Sequence, residues 1–309
     1  MYIVIVNPTA GNGKAMKLFK TIQKDPLFKQ KECRTFLTEY EGHGKKIAEQ
    51  VAEIYKEKIT SILVIGGDGT LNEVMNGLRH HRSIPVSTIP AGSGNDFSRG
   101  IGVKSNSLEL FRKLVTRPKS RRCRLGMYTI NGRKKLPPAF FLNSIGIGFD
   151  ATVALIANKS RYKKILNRLG IGSLSYVLAL IQGLSRFEPV ALKVIVDGHV
   201  SRFEKGFMVT ISNHPFYGGG MKIAPTAHIQ KPELSVLVID DISKWKVLFL
   251  FVTVFFGKHT RFKEVHLLKG NVITIEAEQR IPIQIDGDTS MADTCEIKKT
   301  EEMREFHVA

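Results

Sequence analysis

Apolar and polar positions change rhythm once along this chain, near residue 120. Before that point, unbroken apolar runs alternate with stretches in which apolar residues return every three or four positions. The runs YIVIVN (2–7), SILVIGG (61–67) and IPVSTIPAG (84–92) predict buried strands, and CRTFLTE (33–39) predicts another. Helices are predicted around Ala15–Gln23, over KKIAEQVAEIYKE (45–57) with Ile47, Val51 and Ile54 on one face, and over LNEVMNGLRH (71–80). A further helix is expected to start near Asn95-Asp96. Alternating strands and helices, with glycine-rich turns at strand C-terminal ends, form the doubly wound α/β pattern, in which ligands bind at those ends.

After the basic segment RPKSRRCRLG (117–126) the pattern becomes one of short strands. These are YTING (128–132), AFFLNSIGIG (139–148), VALKVIVDG (190–198), KGFMVTISN (205–213) and ELSVLVID (233–240), with GNVITIEA (270–277) and IPIQIDGD (281–288) late in the chain. INGR (130–133) and VDGH (196–199) are hairpin-type turns. Helical stretches at 151–185 and Lys244–Phe256 interrupt them. The expected organisation is an α/β domain over 1–122, an antiparallel β domain over 123–290, and a segment 291–309 that returns to the first domain.

A chain of 309 residues is long enough for two such cores. Its 46 Lys+Arg against 28 Asp+Glu give a net charge of +18, which suits an acidic partner or, equally, a solvated basic surface. Cys33, Cys123 and Cys295 are far apart and form no CxxC pair, which argues against a disulfide framework or a zinc site and fits a reducing cytosol. The N-terminus lacks the basic start and cleavage site of a signal peptide. The longest apolar run, Val247–Phe256, is too short to span a bilayer.

Four segments could form a phosphate-handling surface: NPTAGNG (7–13), GGDGTLNE (66–73), PAGSGNDFSRG (90–100) and QIDGD (284–288). Glycines let backbone amides approach an anion closely, and Thr70 stands where it could cap the next helix, whose N-terminus attracts negative charge. Each segment also reads as an ordinary turn or helix cap. There is no Walker A loop and no complete GxGxxG. His43, His214 and His228 fall in loops without a partner at ligand spacing, and the adjacent His80 and His81 would not face one metal from a helix.

GGDGTLNEVMNGL (66–78), preceded by ILVI, resembles the signature of the diacylglycerol kinase catalytic-domain family. The GGDGT core is shared with NAD kinases and 6-phosphofructokinases. NPTAG, IPAGSGNDFSRGIG (89–102), GGGMKIAP (218–225) and the late IDGD, in that order and spacing, resemble the bacterial lipid kinase branch over essentially the whole chain. The resemblance implies α/β plus β: a doubly wound nucleotide-binding α/β domain, then a larger antiparallel β-sandwich with inserted helices, and an active site in the cleft. It implies ATP at Asn7, Pro8, Thr9, Ala10 and Gly11, and at Gly66, Gly67, Asp68, Gly69, Thr70, Leu71 and Asn72, with Thr38, Ser93, Gly94, Asn95 and Asp96 nearby. Asp68 would handle a catalytic Mg²⁺ bridging the phosphates. Asp286 and Asp288 match a carboxylate pair that takes the proton of the lipid hydroxyl. The second member is usually Glu, and the shorter Asp288 favours Asp286 as the base with Asp288 as its partner.

The chain departs from the family in PTAHIQKPEL (225–234), where relatives carry carboxylates that hold a structural Mg²⁺. Thr226, Gln230 and Lys231 leave only Glu233, so that site is expected to be weak or lost. In the helical stretch, Lys159, Arg161, Lys163, Lys164 and Arg168 interleave with Ile156, Tyr162, Ile165, Leu166 and Leu169, a pattern that suits either an anionic membrane surface or a helix packed on the sandwich. The expected function is ATP-dependent phosphorylation of diacylglycerol or a similar lipid, in the cytoplasm and transiently at the inner face of the membrane. The alternative is a catalytically weakened lipid- or nucleotide-responsive binding protein. A homodimer is left open, and nucleic-acid binding rests on charge alone.

Overall fold

The structure is a computed structural model that describes residues 1–103, 106–132, 138–159 and 172–309. The chain divides into two compact units, Met1–Leu125 with Gly218–Gly220 and Glu301–Ala309, and Gly126–Tyr217 with Met221–Thr300.

In the first unit, β1 (Tyr2–Val6), β2 (Cys33–Leu37), β3 (Ser61–Gly66) and β4 (Val86–Pro90) run parallel in the order β2-β1-β3-β4. β1, β3 and β4 are buried along their whole length, which is why they read as unbroken apolar runs. The helices are α1 (Lys14–Gln23), α2 (Pro26–Gln30), α3 (His43–Tyr55), α4 (Asp68–Gly77), α5 (Asp96–Gly100) and α6 (Leu108–Thr116). α3 buries Gly44, Ile47, Ala48, Val51 and Ala52, whereas Ile54, expected on that face, is exposed. Ala48 lies against Gly77 of α4, so the buried stripe is rotated away from Ile54.

Two strands complete this sheet. β5 (Lys119–Cys123), cut from the basic segment, pairs antiparallel with the late strand Arg304–Val308, which itself pairs parallel with β4. The basic run is therefore an edge strand, and its exposed Lys119 and Arg122 guard an open edge.

The second unit is a nine-stranded antiparallel sheet system. It contains β6 (Gly126–Ile130), β7 (Ala139–Phe141), β8 (Ser144–Gly148), β9 (Val190–Val196), β10 (His199–Ser212), β11 (Leu234–Asp240), β12 (Val265–Gly270), β13 (Val272–Ile285) and β14 (Asp288–Lys299); β15 is the late strand of the first sheet. AFFLNSIGIG is two strands, not one, broken at Leu142-Asn143. GNVITIEA and IPIQIDGD belong to the single strand β13, whose pairing slips between Glu276 and Ile281. Both long strands, β10 and β13, pair with β9 along one half and β8 along the other. Ile145, Ile147, Val194, Val209, Ile211, Val236, Ile273 and Ile283 lie in one core. The helices α7 (Phe149–Lys159), α8 (Gly172–Arg186) and α9 (Lys244–Val254) contribute to a second.

Because β14 runs to Lys299 in the second sheet, the segment 291–309 is divided, and Glu301–Ala309 joins the first unit. Arg161, Tyr162, Lys163, Lys164, Ile165, Leu166, Arg168 and Leu169 of the expected basic amphipathic stretch lie outside the described residues. No described helix is long and apolar enough to cross a membrane.

Candidate active site

Three glycine-rich loops meet at the C-terminal ends of β1, β3 and β4. Ala91 N donates to Gly66 O at 2.7 Å, drawing the last two together. A methyl added to Gly92 would lie 2.6 Å from the Gly67 Cα, so the loops after β3 and β4 touch glycine to glycine. Gly11, at φ +59°, leaves room for the Ala91 carbonyl, which a Cβ there would approach to 2.1 Å. Asn7 locks the first loop: its Nδ2 donates to Thr70 Oγ1 at 3.0 Å, and its Oδ1 accepts from Thr9 N and Oγ1.

The caps differ from the sequence expectation. α4 begins at Gly67, which supplies no side-chain cap, and Thr70 sits inside the first turn bonded to Asn7. Asp68 reaches out of its own helix instead. Its Oδ2 accepts from Asp96 N at 2.8 Å and its Oδ1 from Phe97 N at 3.2 Å, so it caps α5 from another loop. Asn95 (φ 57°), at the start of α5, bonds back to Gly92 N and O. A Cβ on Gly69 would meet open space, so the first turn of α4 has an unobstructed approach there.

Other expected residues are placed as follows. Asp96 is buried, accepting from Gly219 N and pairing with Arg99 at 2.8 Å. Burial pushes its pKa up, against the pull of Gly219 and Arg99. Leu71 is in the core, Asn72 bonds Asn76, Ser93 is exposed, and Thr38 is buried with its N–H on Val6 O. Glu73, to which the sequence assigned no role, accepts from Gly42 N and Gly44 N at 2.9 Å and so caps α3. Its position inside GGDGTLNE was the signal available.

The second unit builds its own carboxylate cluster at the β13–β14 turn. Asp286 (φ 50°) and Gly287 (φ 98°) make a two-residue hairpin turn closed by the Ile285–Asp288 pair. The Asp286 carboxylate accepts three backbone amides, Leu142 N at 2.6 Å, Asn143 N at 2.8 Å and Ser144 N at 3.1 Å. These are the residues where AFFLNSIGIG breaks. Asp288 is exposed at the start of β14. Burial, then the charges of Asp286, Cys295 and Asp288, push the Tyr128 phenol up to about 12.

Behind the turn lies a network that sequence reasoning missed. Gln284 Oε1 accepts from Gly287 N at 2.9 Å, and its Nε2 donates to Asp150 at 3.2 Å. Tyr217 OH also donates to Asp150, whose pKa burial pushes up against the pull of these two partners. Asp150 in GIGFDA, directly after a buried strand, was its only trace. His214 is fully buried and neutral, held down to about 3 by burial and the Lys299 charge. It accepts from Phe216 N through Nδ1, which leaves Nε2 to donate to Asn143 Oδ1 at 2.9 Å.

The donor set of 228–233 does not suit a second metal. Lys299 is buried, and its Nζ donates to His228 O at 2.8 Å and Lys231 O at 2.9 Å. An ammonium already bridges these loop carbonyls, and Glu233 faces solvent.

With this geometry in place, comparison with known proteins is decisive. Residues 1–128 match the diacylglycerol kinase catalytic domain, and residues 143–298 match the YegS C-terminal NAD kinase beta sandwich-like domain. The chain belongs to the diacylglycerol kinase family. It is 36% identical over 287 residues to the "Putative lipid kinase YtlR" of Bacillus subtilis, covering 93% of each. It is 27% identical over 286 residues to a diacylglycerol kinase of Mycobacterium tuberculosis, covering 92% of this chain and 87% of that one. The crystal structure of a "putative diacylglycerol kinase" from Bacillus anthracis matches with a TM-score of 0.77 at 26% identity, covering 100% and 97% of the two chains. The α/β unit followed by a β-sandwich is thus the family's fold, and lipid kinases are its enzyme class.

Proposed function

We propose that this member transfers the γ-phosphate of ATP to the hydroxyl of diacylglycerol or a closely related lipid. The observation that carries this reading is the Gly67–Gly92 contact with Asp68 bonded across it, beside the open approach to the first turn of α4. Glycine backbones and an open helix N-terminus suit phosphates. Asn7, Gly11 and Gly66–Asn72 would line the nucleotide, with Ser93–Asp96 forming the adjoining loop. Asp68 suits a Mg²⁺ that takes most of its ligands from phosphate and water, and that ion would neutralise charge on the transferred group.

At the other end, Asp286 and Asp288 divide the work. Three amides take up most of the lone-pair directions of Asp286, so its task is to fix the turn. Proton acceptance then falls to Asp288, which reverses the preference drawn from the sequence. The test is transfer from γ-labelled ATP to diacylglycerol. Asp68→Asn and Asp288→Asn should each lower kcat by about 100-fold or more, with the fold retained, and Asp288→Glu should recover much of the loss. Full activity in Asp288→Asn would return the base to Asp286. Retained activity in Asp68→Asn would remove the nucleotide-side assignment.

A further inference from the structure

The helix α9 is apolar on two opposite faces, and the fold buries only one; on the other, Phe249 touches the ring of Phe262 edge-on. Val247, Leu250 and Val254 are buried in the second unit's core. Trp245, Phe249, Val252 and Phe256, spaced 4, 3 and 4 apart, follow the opposite side and are 83%, 64%, 57% and 71% exposed. Phe256 closes the last turn through its N–H to Thr253 O. A soluble surface helix normally presents polar residues there.

The charges around this stripe name its partner. From Ile242 to Lys263 the chain has no Asp or Glu, but it has Lys244, Lys246, Lys258, Arg261 and Lys263, all exposed. Lys246 also pairs with Glu264 at 2.6 Å. A second copy of this chain seated here would bring like charges against like, with only Lys246 offset by its carboxylate. An anionic bilayer surface complements them, and a Trp at one end of an apolar stripe is the usual interfacial anchor. At 11 residues the helix is about 16 Å long, so it lies in the interface and does not span it.

We propose that the Trp245–Phe249–Val252–Phe256 face of α9 is the surface by which the protein docks on anionic phospholipid, with the flanking lysines and arginine on head groups. This rests on the lipid kinase reading for its purpose, though not for its measurement. Trp245 is the single tryptophan, so its emission reports insertion directly. Phosphatidylcholine–phosphatidylglycerol vesicles should shift the emission to the blue, and brominated lipid should quench it. Phosphatidylcholine alone should do much less, and about 0.5 M salt should weaken the effect. Phe249→Ser/Phe256→Ser should cut vesicle partitioning about tenfold or more. Its turnover should fall in step on diacylglycerol embedded in vesicles, yet stay unchanged on dissolved dioctanoylglycerol.

No shift of Trp245 with the anionic vesicles overturns the proposal. So does a self-association by sedimentation that the double variant abolishes, because the face would then be an interface between copies. A Trp245 shift with no phosphate transfer to any acceptor would instead remove the kinase reading and leave the docking surface standing.

Discussion

In the first unit, Asp68 crosses from one glycine loop to cap a helix that begins in another; in the second, Asp286 crosses from a hairpin turn to three amides at a strand break. Both carboxylates follow the end of a strand and stand next to glycine, and both hold backbone from a distant stretch of chain. The backbones differ. Asp68 is helical and takes two amides, one of them long, beside a glycine that opens to space. Asp286 is in the left-handed region and takes three, one at 2.6 Å. Two carboxylates that look alike in sequence therefore sit in different backbone settings. In the proposed reading the first serves the nucleotide, whereas the second holds its neighbour Asp288 in register.

The largest effect should come from breaking the tighter of the two. Asp286→Ala strands three amides, and chemical denaturation should show a loss on the order of 3 kcal/mol in stability. A change near zero would mean that water replaces the carboxylate and that the turn is not fixed by it. Gly92→Ala tests the looser arrangement. The added methyl would meet the Gly67 Cα at 2.6 Å, so the loops must separate, with a loss of about 1–3 kcal/mol and weaker ATP binding by calorimetry. Unchanged affinity would detach the glycine contact from the nucleotide.

A third effect depends on pH and sharpens the second region alone. His214 is neutral in the folded protein to about pH 3, whereas the unfolded chain takes up its proton near pH 6.5. Below that, the unfolded state binds more protons, so stability falls as pH drops from about 6.5 toward 3, by about 1.4 kcal/mol per pH unit for this group. Denaturation midpoints measured from pH 7 to 5 should fall less steeply in His214→Asn. An unaltered slope would assign the acid sensitivity elsewhere, with His259, also held down by burial, the next to test.

Much of the first unit was legible because period alone separates its buried strands from its helices. The exceptions have local causes. Ile54 fits the helical stripe, but Ala48 and Ala52 supply the close-packing face. The basic segment 117–126 reads as a junction because strand pairing, not composition, makes Lys119–Cys123 an edge. The site motifs were visible as glycine loops, but not their partners. Nothing in Asp68 announces α5, and nothing in Lys299 announces the carbonyls of His228 and Lys231, 71 and 68 residues away.

The sequence by itself determined the strand–helix alternation, the change to antiparallel strands and the loops that carry the family signature, because these are written in short-range period and in glycine placement. Tertiary structure alone decided which amides each carboxylate holds, that Asp150, Tyr217 and Gln284 form one network, and that one side of α9 is left uncovered. Those depend on chain segments brought together across long separations, and no local pattern encodes which partner will arrive.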